Sequence, residues 1–243
     1  MTGGGAGLGR VFADALAEAG ANVVVCGRKA ERCEQVAAEI AKAHGVTAIG
    51  MRCDVRATAE IEAVVERAMT EFGAIDVLVN NAGTSWGAPA EDYPLEGWQK
   101  VIDVNLTGLF QFTQLAGRTM IAKGRGKIVN IASVAAFGGA PPELMDAVAY
   151  NASKGGVVAF TRDLAVKWAR HGITVNAIAP GWFPTEMSQQ LLERSGEVFL
   201  ERIPLGRFGG PDDLRGLIVF LAGPASDFVT GQTVIVDGGQ SAS

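Results

Sequence analysis

The sequence of 243 residues contains few of the residues on which metal sites depend. Its two histidines, His44 and His171, each stand immediately before a glycine where a helix is predicted to end. An imidazole at that position can complement the helix dipole. No group of His, Cys and carboxylate residues occurs at metal-ligand spacing, so we expect no metal centre.

Cysteine and long apolar runs are also scarce. Cys26 and Cys53 fall on predicted strands and Cys33 on a predicted helix, which suggests buried packing roles in a reducing compartment. No run reaches the ~18 apolar residues of a membrane helix, and no signal peptide is visible. The net charge of −5 and the pI of about 5.2 argue against a nucleic-acid partner. We expect a soluble cytoplasmic protein that binds neither membrane nor nucleic acid.

Hydrophobic strands alternate with amphipathic helices along the whole chain, without a linker or repeat. This pattern predicts one α/β domain over residues 1–243. Strands are predicted at 22–26, 46–53, 75–79, 127–132, 173–179 and 233–236, and helices at 7–19, 29–43, 57–72, 97–123, 148–170 and 211–222. Segment 181–210 is predicted either as a mobile lid over a substrate or as a helix pair packed permanently on the core, with about equal weight.

Tyr150 and Lys154 are one turn apart on a predicted helix and so share a face. An ammonium group one turn away favours the phenolate and lowers the pKa of the tyrosine, which lets the pair exchange a proton near neutral pH. Taken alone, such a pair is most often a coincidence on the surface. Its sequence context favours the chemical interpretation. Ser133 lacks the G-x-S-x-G elbow of a serine hydrolase.

The glycine run Thr2–Gly9 has the form T-G-x-x-x-G-x-G and leads into a predicted helix and strand. Small residues let a backbone approach a pyrophosphate, and the helix N-terminus donates amides to it. Other polar or small residues stand at the carboxyl ends of strands or in the helix that follows, where open α/β sheets bind ligands. They are Asp54, Val55, Asn80, Asn81, Ala82, Gly83, Asn105, Ser133, Pro180, Gly181 and Thr185.

These motifs together resemble the classical short-chain dehydrogenase/reductase family, and the resemblance runs from Thr2 to Gly239. The segment 204–239 is similar to the branch with 3-oxoacyl-carrier-protein reductases and gluconate 5-dehydrogenases. The resemblance implies a doubly wound NAD(P)-binding Rossmann domain with a mostly parallel sheet. It implies a catalytic tetrad of Asn105, Ser133, Tyr150 and Lys154. It also implies cofactor contacts from Gly3, Gly5, Ala6, Gly7, Leu8, Gly9, Arg28, Asp54, Val55, Asn81, Ala82, Gly83, Tyr150, Lys154, Pro180, Gly181, Phe183 and Thr185.

Two features depart from the family pattern. Ser133 and Tyr150 are 17 positions apart, farther than is usual in the family, and Pro141-Pro142 between them predicts a non-helical excursion. Only Met1 precedes Thr2, where the family has a hydrophobic strand that lies at the centre of the sheet. We expect the first central strand to be absent, and the sheet to be broken or unusually paired between strands 22–26 and 75–79.

The resemblance implies an oxidoreductase that interconverts a ketone and a secondary alcohol, with a small 3-oxoacyl thioester or sugar-acid substrate. Tyr150 would exchange the proton with the substrate, Ser133 would bind the substrate oxygen, and Asn105 would hold a relay water. Gly27 stands where an acid would bind the ribose of NAD, and Arg28 follows. This predicts a preference for NADP(H), with NAD(H) possible. The helices 97–123 and 148–170 carry surplus apolar residues that favour a partner surface, and the resemblance implies a homotetramer built on these helices and on the last strand. The alternative is a non-catalytic dinucleotide-binding regulatory module.

Overall fold

The computed structural model describes residues 1–142 and 144–242. In this part of the chain six strands alternate with eight α-helices. The strands are β1 (Val23–Gly27), β2 (Ala48–Arg52), β3 (Val77–Asn80), β4 (Gly126–Ile131), β5 (Ile173–Pro180) and β6 (Thr233–Val236). The helices are α1 (Gly7–Glu18), α2 (Ala30–His44), α3 (Thr58–Phe72), α4 (Leu95–Ile102), α5 (Gly108–Lys123), α6 (Val148–Trp168), α7 (Gln189–Glu201) and α8 (Asp212–Ala222).

The predicted elements are confirmed, with two differences. The helix predicted over 97–123 begins at Leu95 and is divided by a π-helical turn at Asp103–Thr107. Segment 181–210 contains α7, which is kinked at Ser195. None of the described helices is long and apolar enough to cross a membrane.

All paired strands run parallel, and the sheet is broken where the sequence predicts it. β1 pairs with β2, and β3, β4, β5 and β6 follow one another in a second sheet. Met1 and Thr2 lie between the two sheets at the carboxyl ends of their strands. The Thr2 N–H donates to the Val79 carbonyl (3.1 Å), and the Cys26 N–H donates to the Met1 carbonyl (3.0 Å). Two residues therefore bridge the sheets in place of a full strand.

Helices cover both faces of the sheets, as parallel strands require. On one face Phe12 of α1 and Ile218 of α8 pack against Val129 and Ile178. On the other face α3, α5 and α6 cover the strands, and Ile61, Met120, Ile128 and Leu164 belong to one buried cluster. The three cysteines are free and buried, as their positions predict.

A buried ladder of polar side chains joins β3 and β4 to the helices on the second face. Asn80 Nδ2 donates to Thr113 Oγ1 (2.8 Å) and to Asn130 Oδ1 (2.9 Å). Asn130 Nδ2 donates in turn to Thr161 Oγ1 (2.9 Å). Because a buried amide without a partner is costly, these bonds favour one relative placement of α5 and α6. That placement determines where Asn105 lies relative to Tyr150.

Candidate active site

A cleft of about 1250 Å³ opens at the carboxyl ends of the strands. Nearly all of the residues predicted for catalysis and cofactor binding line it. Three do not: Gly5, Gly9 and Asn105. Gly5 packs on Cys33, Gly9 lies beneath Gly3, and Asn105 is 1% exposed. These three residues support the wall from behind.

The glycine turn has the geometry of an anion cradle. Gly3 (φ +63°) and Gly7 (φ +53°) adopt left-handed conformations that favour glycine. A Cβ at Gly9 would overlap the Gly3 carbonyl oxygen and the Asn81 side chain. Because α1 begins at Gly7, its free N-terminal amides lie at the cleft wall. A dinucleotide pyrophosphate fits a backbone cradle of this kind.

Thr2 anchors this turn, a role that the sequence did not assign to it. Its Oγ1 accepts from the N–H groups of Asn81 (2.9 Å) and Ala82 (3.0 Å). Asn81 Nδ2 donates to the carbonyls of Thr2 (3.1 Å) and Gly3 (3.2 Å). The leading threonine of T-G-x-x-x-G-x-G was the available signal. The two loops of the cleft floor are therefore held together by side-chain hydrogen bonds in addition to packing.

Asn105 lies in the π-helical turn between α4 and α5. Its Oδ1 accepts from the Thr84 N–H (2.8 Å), and its Nδ2 donates to the Thr84 carbonyl (3.0 Å) and to Ser153 Oγ (2.9 Å). Ser153 Oγ donates to the Tyr150 carbonyl (2.7 Å). Local π-helical turns are frequent at functional sites. Asn105 thus joins the loop after β3 to the helix that carries Tyr150 and Lys154.

Ser133, Tyr150 and Lys154 meet on one wall of the cleft. Ser133 follows β4, and its Oγ accepts from the Ala135 N–H (3.2 Å). Ser133 lies close enough to Tyr150 for a side-chain hydrogen bond that lowers the pKa of the phenol. Lys154 Nζ lies 5.6 Å from the centre of the Tyr150 ring and donates to the Ile131 carbonyl (2.6 Å). The three side chains form a compact acid–base group.

Burial dominates the pKa values of this group. Desolvation raises the pKa of Tyr150, and its hydrogen bond with Ser133 opposes that shift. Desolvation lowers the pKa of Lys154 to about 8. The expectation that Lys154 lowers the pKa of Tyr150 is therefore wrong for this structure. The lysine itself loses charge readily, and its ammonium group is directed to the Ile131 carbonyl.

Charged side chains line the end of the cleft beside β1 and β2. Arg28 follows β1, is exposed and lines the cleft. Asp54 lies on the cleft wall after β2, where Arg56 binds its carboxylate through Nε (3.0 Å) and Nη2 (2.6 Å). The Arg56 guanidinium holds the pKa of Asp54 below its usual range. Sequence reasoning did not include Arg56, because its pairing depends on a loop conformation.

Segment 181–210 covers the other end. Pro180, Gly181, Phe183 and Thr185 follow β5 and line the cleft, as predicted. Ser188 holds this turn: its Oγ accepts from the Thr185 N–H (2.9 Å) and donates to the Phe183 carbonyl (2.7 Å). The rings of Trp182 and Phe199 lie 4.0 Å apart, which packs the segment on α7.

The loop between Ser133 and α6 is a further part of the wall. It contains the predicted non-helical excursion, since the Leu144 N–H donates to the Pro141 carbonyl (2.9 Å) in a turn. Phe137, Leu144 and Met145 line the cleft. Sequence reasoning left the lining of this wall open.

Comparison with known proteins agrees with this geometry. The family model described as Enoyl-(Acyl carrier protein) reductase matches residues 3–241. The chain is 43% identical to a 2-dehydro-3-deoxy-D-gluconate 5-dehydrogenase of Escherichia coli (strain K12), over 98% of this chain and 93% of the relative. It is 38% identical to a 3-oxoacyl-[acyl-carrier-protein] reductase of Aquifex aeolicus (strain VF5), over 98% and 95% of the two chains.

A solved structure is similar over the whole chain. It is a gluconate 5-dehydrogenase from Burkholderia cenocepacia J2315 in complex with NADP and tartrate. The TM-score is 0.93 at 39% sequence identity, and the match covers 100% of this chain and 94% of the other.

Proposed function

The chain belongs to the classical short-chain dehydrogenase/reductase family, and we propose from this premise that it is an NADP(H)-dependent oxidoreductase that interconverts a ketone and a secondary alcohol. The observation that carries the proposal is the contact of Ser133, Tyr150 and Lys154 in a cleft that also contains the glycine cradle. The compared relatives are dehydrogenases and reductases, so the alternative of a non-catalytic module is not supported.

Each member of the tetrad has a defined task in this proposal. Tyr150 transfers a proton to the carbonyl oxygen in reduction and removes it from the hydroxyl in oxidation. Ser133 binds the same oxygen, because it lies close enough to Tyr150 for a side-chain hydrogen bond. Lys154 binds ribose hydroxyls, and its Nζ lies 5.6 Å from the centre of the Tyr150 ring. Asn105 positions the Thr84 loop and α6, and we retain the prediction that it holds a relay water.

The cofactor supplies or accepts the hydride when it is bound. The glycine cradle and the N-terminus of α1 bind its pyrophosphate. Asp54 and Val55 contact the adenine end, and Asn81–Gly83 and Thr185 contact the rest of the dinucleotide. Arg28 binds the 2′-phosphate. Gly27 stands where other proteins have the carboxylate that selects NAD, so that carboxylate is absent at this position. A related structure holds NADP, in agreement with the preference for NADP(H).

Substitution of Tyr150 by Phe tests the reaction class. The variant lacks the proton donor, so kcat with NADPH and a panel of ketones should fall by about 10²–10⁴-fold. Binding of NADPH, followed by fluorescence titration, should change little. Tyr93→Phe is the matched control, because Tyr93 donates to the Trp86 carbonyl (2.9 Å) and stands outside the tetrad. Turnover of the Tyr150 variant within a few-fold of the parent would contradict the assignment.

Two further features complete the proposal. We place the protein in the cytoplasm as one domain, in which 181–210 acts as a lid over the substrate. We also propose a homotetramer, supported by apolar side chains exposed on the outer helices, among them Phe110 and Val166, and on β6 at Ile235. Light scattering at micromolar concentration measures this state.

A further inference from the structure

The charges of the cleft do not balance. The described walls contain two carboxylates, Asp54 and Glu186, and both are neutralised, Asp54 by Arg56 and Glu186 by Arg32 (2.8 Å). Five cationic side chains line the same walls: Arg28, Arg56, Lys100, Lys154 and Arg202. The cleft is therefore positive within a chain whose net charge is −5, which favours anionic ligands.

Three of these cations, Arg28, Lys100 and Arg202, have no salt-bridge or hydrogen-bond partner for the side chain in the described part of the structure, and two of the three, Arg28 and Arg202, are guanidinium groups. Lys154 donates to the Ile131 carbonyl, and Lys100 Nζ lies 4.9 Å above the Trp86 ring. An unpaired guanidinium group offers a planar set of donors that fits a carboxylate or phosphate through two bonds.

The two free guanidinium groups lie toward opposite ends of the row of strands. Arg28 follows β1, at the end that we assign to the adenosine phosphate. Arg202 follows α7, and the neighbouring Leu205 N–H donates to the Gly238 carbonyl (3.1 Å) just after β6. β4, which leads to Ser133, lies between β3 and β5 in this order. Arg202 is therefore on the side of the reacting group that faces away from Arg28.

The surroundings of Arg202 also fit a small polar substrate. Trp182, Leu191 and Phe199 supply apolar wall at this end, and Gln240 and Ser241 line the same cleft. A charge-assisted hydrogen bond beside such apolar wall discriminates strongly between an anion and a neutral analogue.

We propose that Arg202 binds a carboxylate of the substrate, so that the substrate class is a small keto acid or its hydroxy acid rather than a neutral ketone. This inference rests on the proposed ketone–alcohol activity and specifies its substrate. Arg202 acts as a specificity residue and has no part in proton transfer. Lys100, on the wall formed by α4, is the competing candidate.

The experiment uses six-carbon keto acids, each paired with its primary amide, and the full chain with NADPH. The parent should prefer each acid to its amide. Arg202→Gln should lower kcat/KM for the acids by roughly 10- to 100-fold, the range expected for a lost hydrogen bond to a charged group. The loss should be mainly in KM, and values for the amides should stay within about threefold. Arg202→Lys should retain part of the preference, because it keeps the charge without the planar fork.

Lys100→Gln is the matched variant at the other candidate, and NADPH titration checks that the cofactor site is unchanged. An equal loss for acid and amide with Arg202→Gln, or a loss specific for the acid with Lys100→Gln alone, would overturn the assignment. If no compound is turned over, the proposed activity fails instead. In that case the affinities of the same acids for the parent and for Arg202→Gln, measured by calorimetry, test whether Arg202 binds the carboxylate. Equal affinities would reject this contact.

Discussion

Lys154 is a cation that the fold holds at 4% exposure. Burial lowers its pKa from 10.5 to about 8, so near neutral pH the protein keeps a desolvated ammonium group beside Tyr150. Isolated buried charges destabilise a fold, and replacing them with apolar groups of similar volume is often neutral or stabilising. The lysine is therefore expected to serve activity at the expense of stability.

Lys154→Met separates these two effects. At pH 7 the variant should lose turnover, yet unfold a few degrees higher than the parent. The buried charge costs about 3 kcal/mol by its pKa shift, partly offset by the bond to the Ile131 carbonyl. Because the folded pKa is lowered, the parent gains stability as pH rises from about 8 to 10.5. The advantage of the variant in Tm should therefore be smaller at pH 9.5 than at pH 7. A lower Tm for the variant at pH 7 would contradict the argument.

Arg28 is the residue on which cofactor preference depends. Arg28→Ala should reduce the ratio of kcat/KM for NADPH over NADH by about 10- to 100-fold, since a charge-assisted bond to phosphate is lost and NADH has no 2′-phosphate. Lys29→Ala is the control, because Lys29 is the exposed neighbour at the start of α2. An unchanged ratio with Arg28→Ala, or an equal effect from both variants, would remove Arg28 from this role.

At the residue scale, the sequence predicts which side chains belong to the site better than it predicts the hydrogen bonds that position them. Helical spacing placed Tyr150 and Lys154 on one face, and the sequence context and the resemblance supplied their catalytic role together with Asn105 and Ser133. The bonds that place Asn105 go to Thr84 and Ser153, which are far away in sequence and to which the sequence pattern assigns no role. The pKa of Tyr150 was also mispredicted, because spacing carries no information about desolvation.

Among the elements, α1 and its glycine turn are expected to tolerate substitution least. Gly9→Ala should lower NADPH affinity at least tenfold and destabilise the fold by about 1–3 kcal/mol, since overpacking against backbone forces the turn to move. Its added Cβ would overlap the Gly3 carbonyl oxygen, which cannot yield as a flexible side chain does.

Gly216→Ala is the matched control for this prediction. Gly216 lies inside α8, and a Cβ there meets nothing within 4 Å. This variant should gain about 0.5–1 kcal/mol from helix propensity and bind NADPH like the parent. NADPH titration and thermal unfolding of both variants decide the matter, and similar behaviour of the two would show that the close approach at Gly9 is unimportant.

The elements with a clear hydrophobic period were predictable, and those shaped by distant contacts were not. Residues 97–123 have helical periodicity throughout, so the π-helical turn at Asp103–Thr107 could not be seen in the pattern. For 181–210 the sequence favours a mobile lid and a permanently packed helix pair equally. The structure shows α7 with Phe199 buried against Trp182, and motion of this segment remains a prediction.

At the scale of the whole molecule, the sheet is interrupted between β1 and β3, and we expect this interruption to lower the stability of the fold. Its two sheets are joined through Met1 and Thr2, and within residues 1–142 and 144–242 no strand pairs with both β1 and β3. The Met1 ammonium group lies in this region and donates to the Val24 carbonyl (2.9 Å). Burial lowers the pKa of that amine, so a polar group that is costly to charge occupies a place suited to an apolar strand.

A version of the chain with about ten residues of the form V-A-L-V ahead of Thr2 should therefore be more stable. Each buried aliphatic side chain contributes about 1.5–3 kcal/mol, and new ladder bonds to β1 and β3 would pair backbone groups at the break. We expect the extended form to unfold at a higher temperature and to bind NADPH more tightly, because the strand would hold the start of the glycine turn. A Gly/Ser extension of equal length is the control for thermal unfolding. If the two extended forms melt at the same temperature, Met1 and Thr2 already close the gap and the sheet needs no further strand.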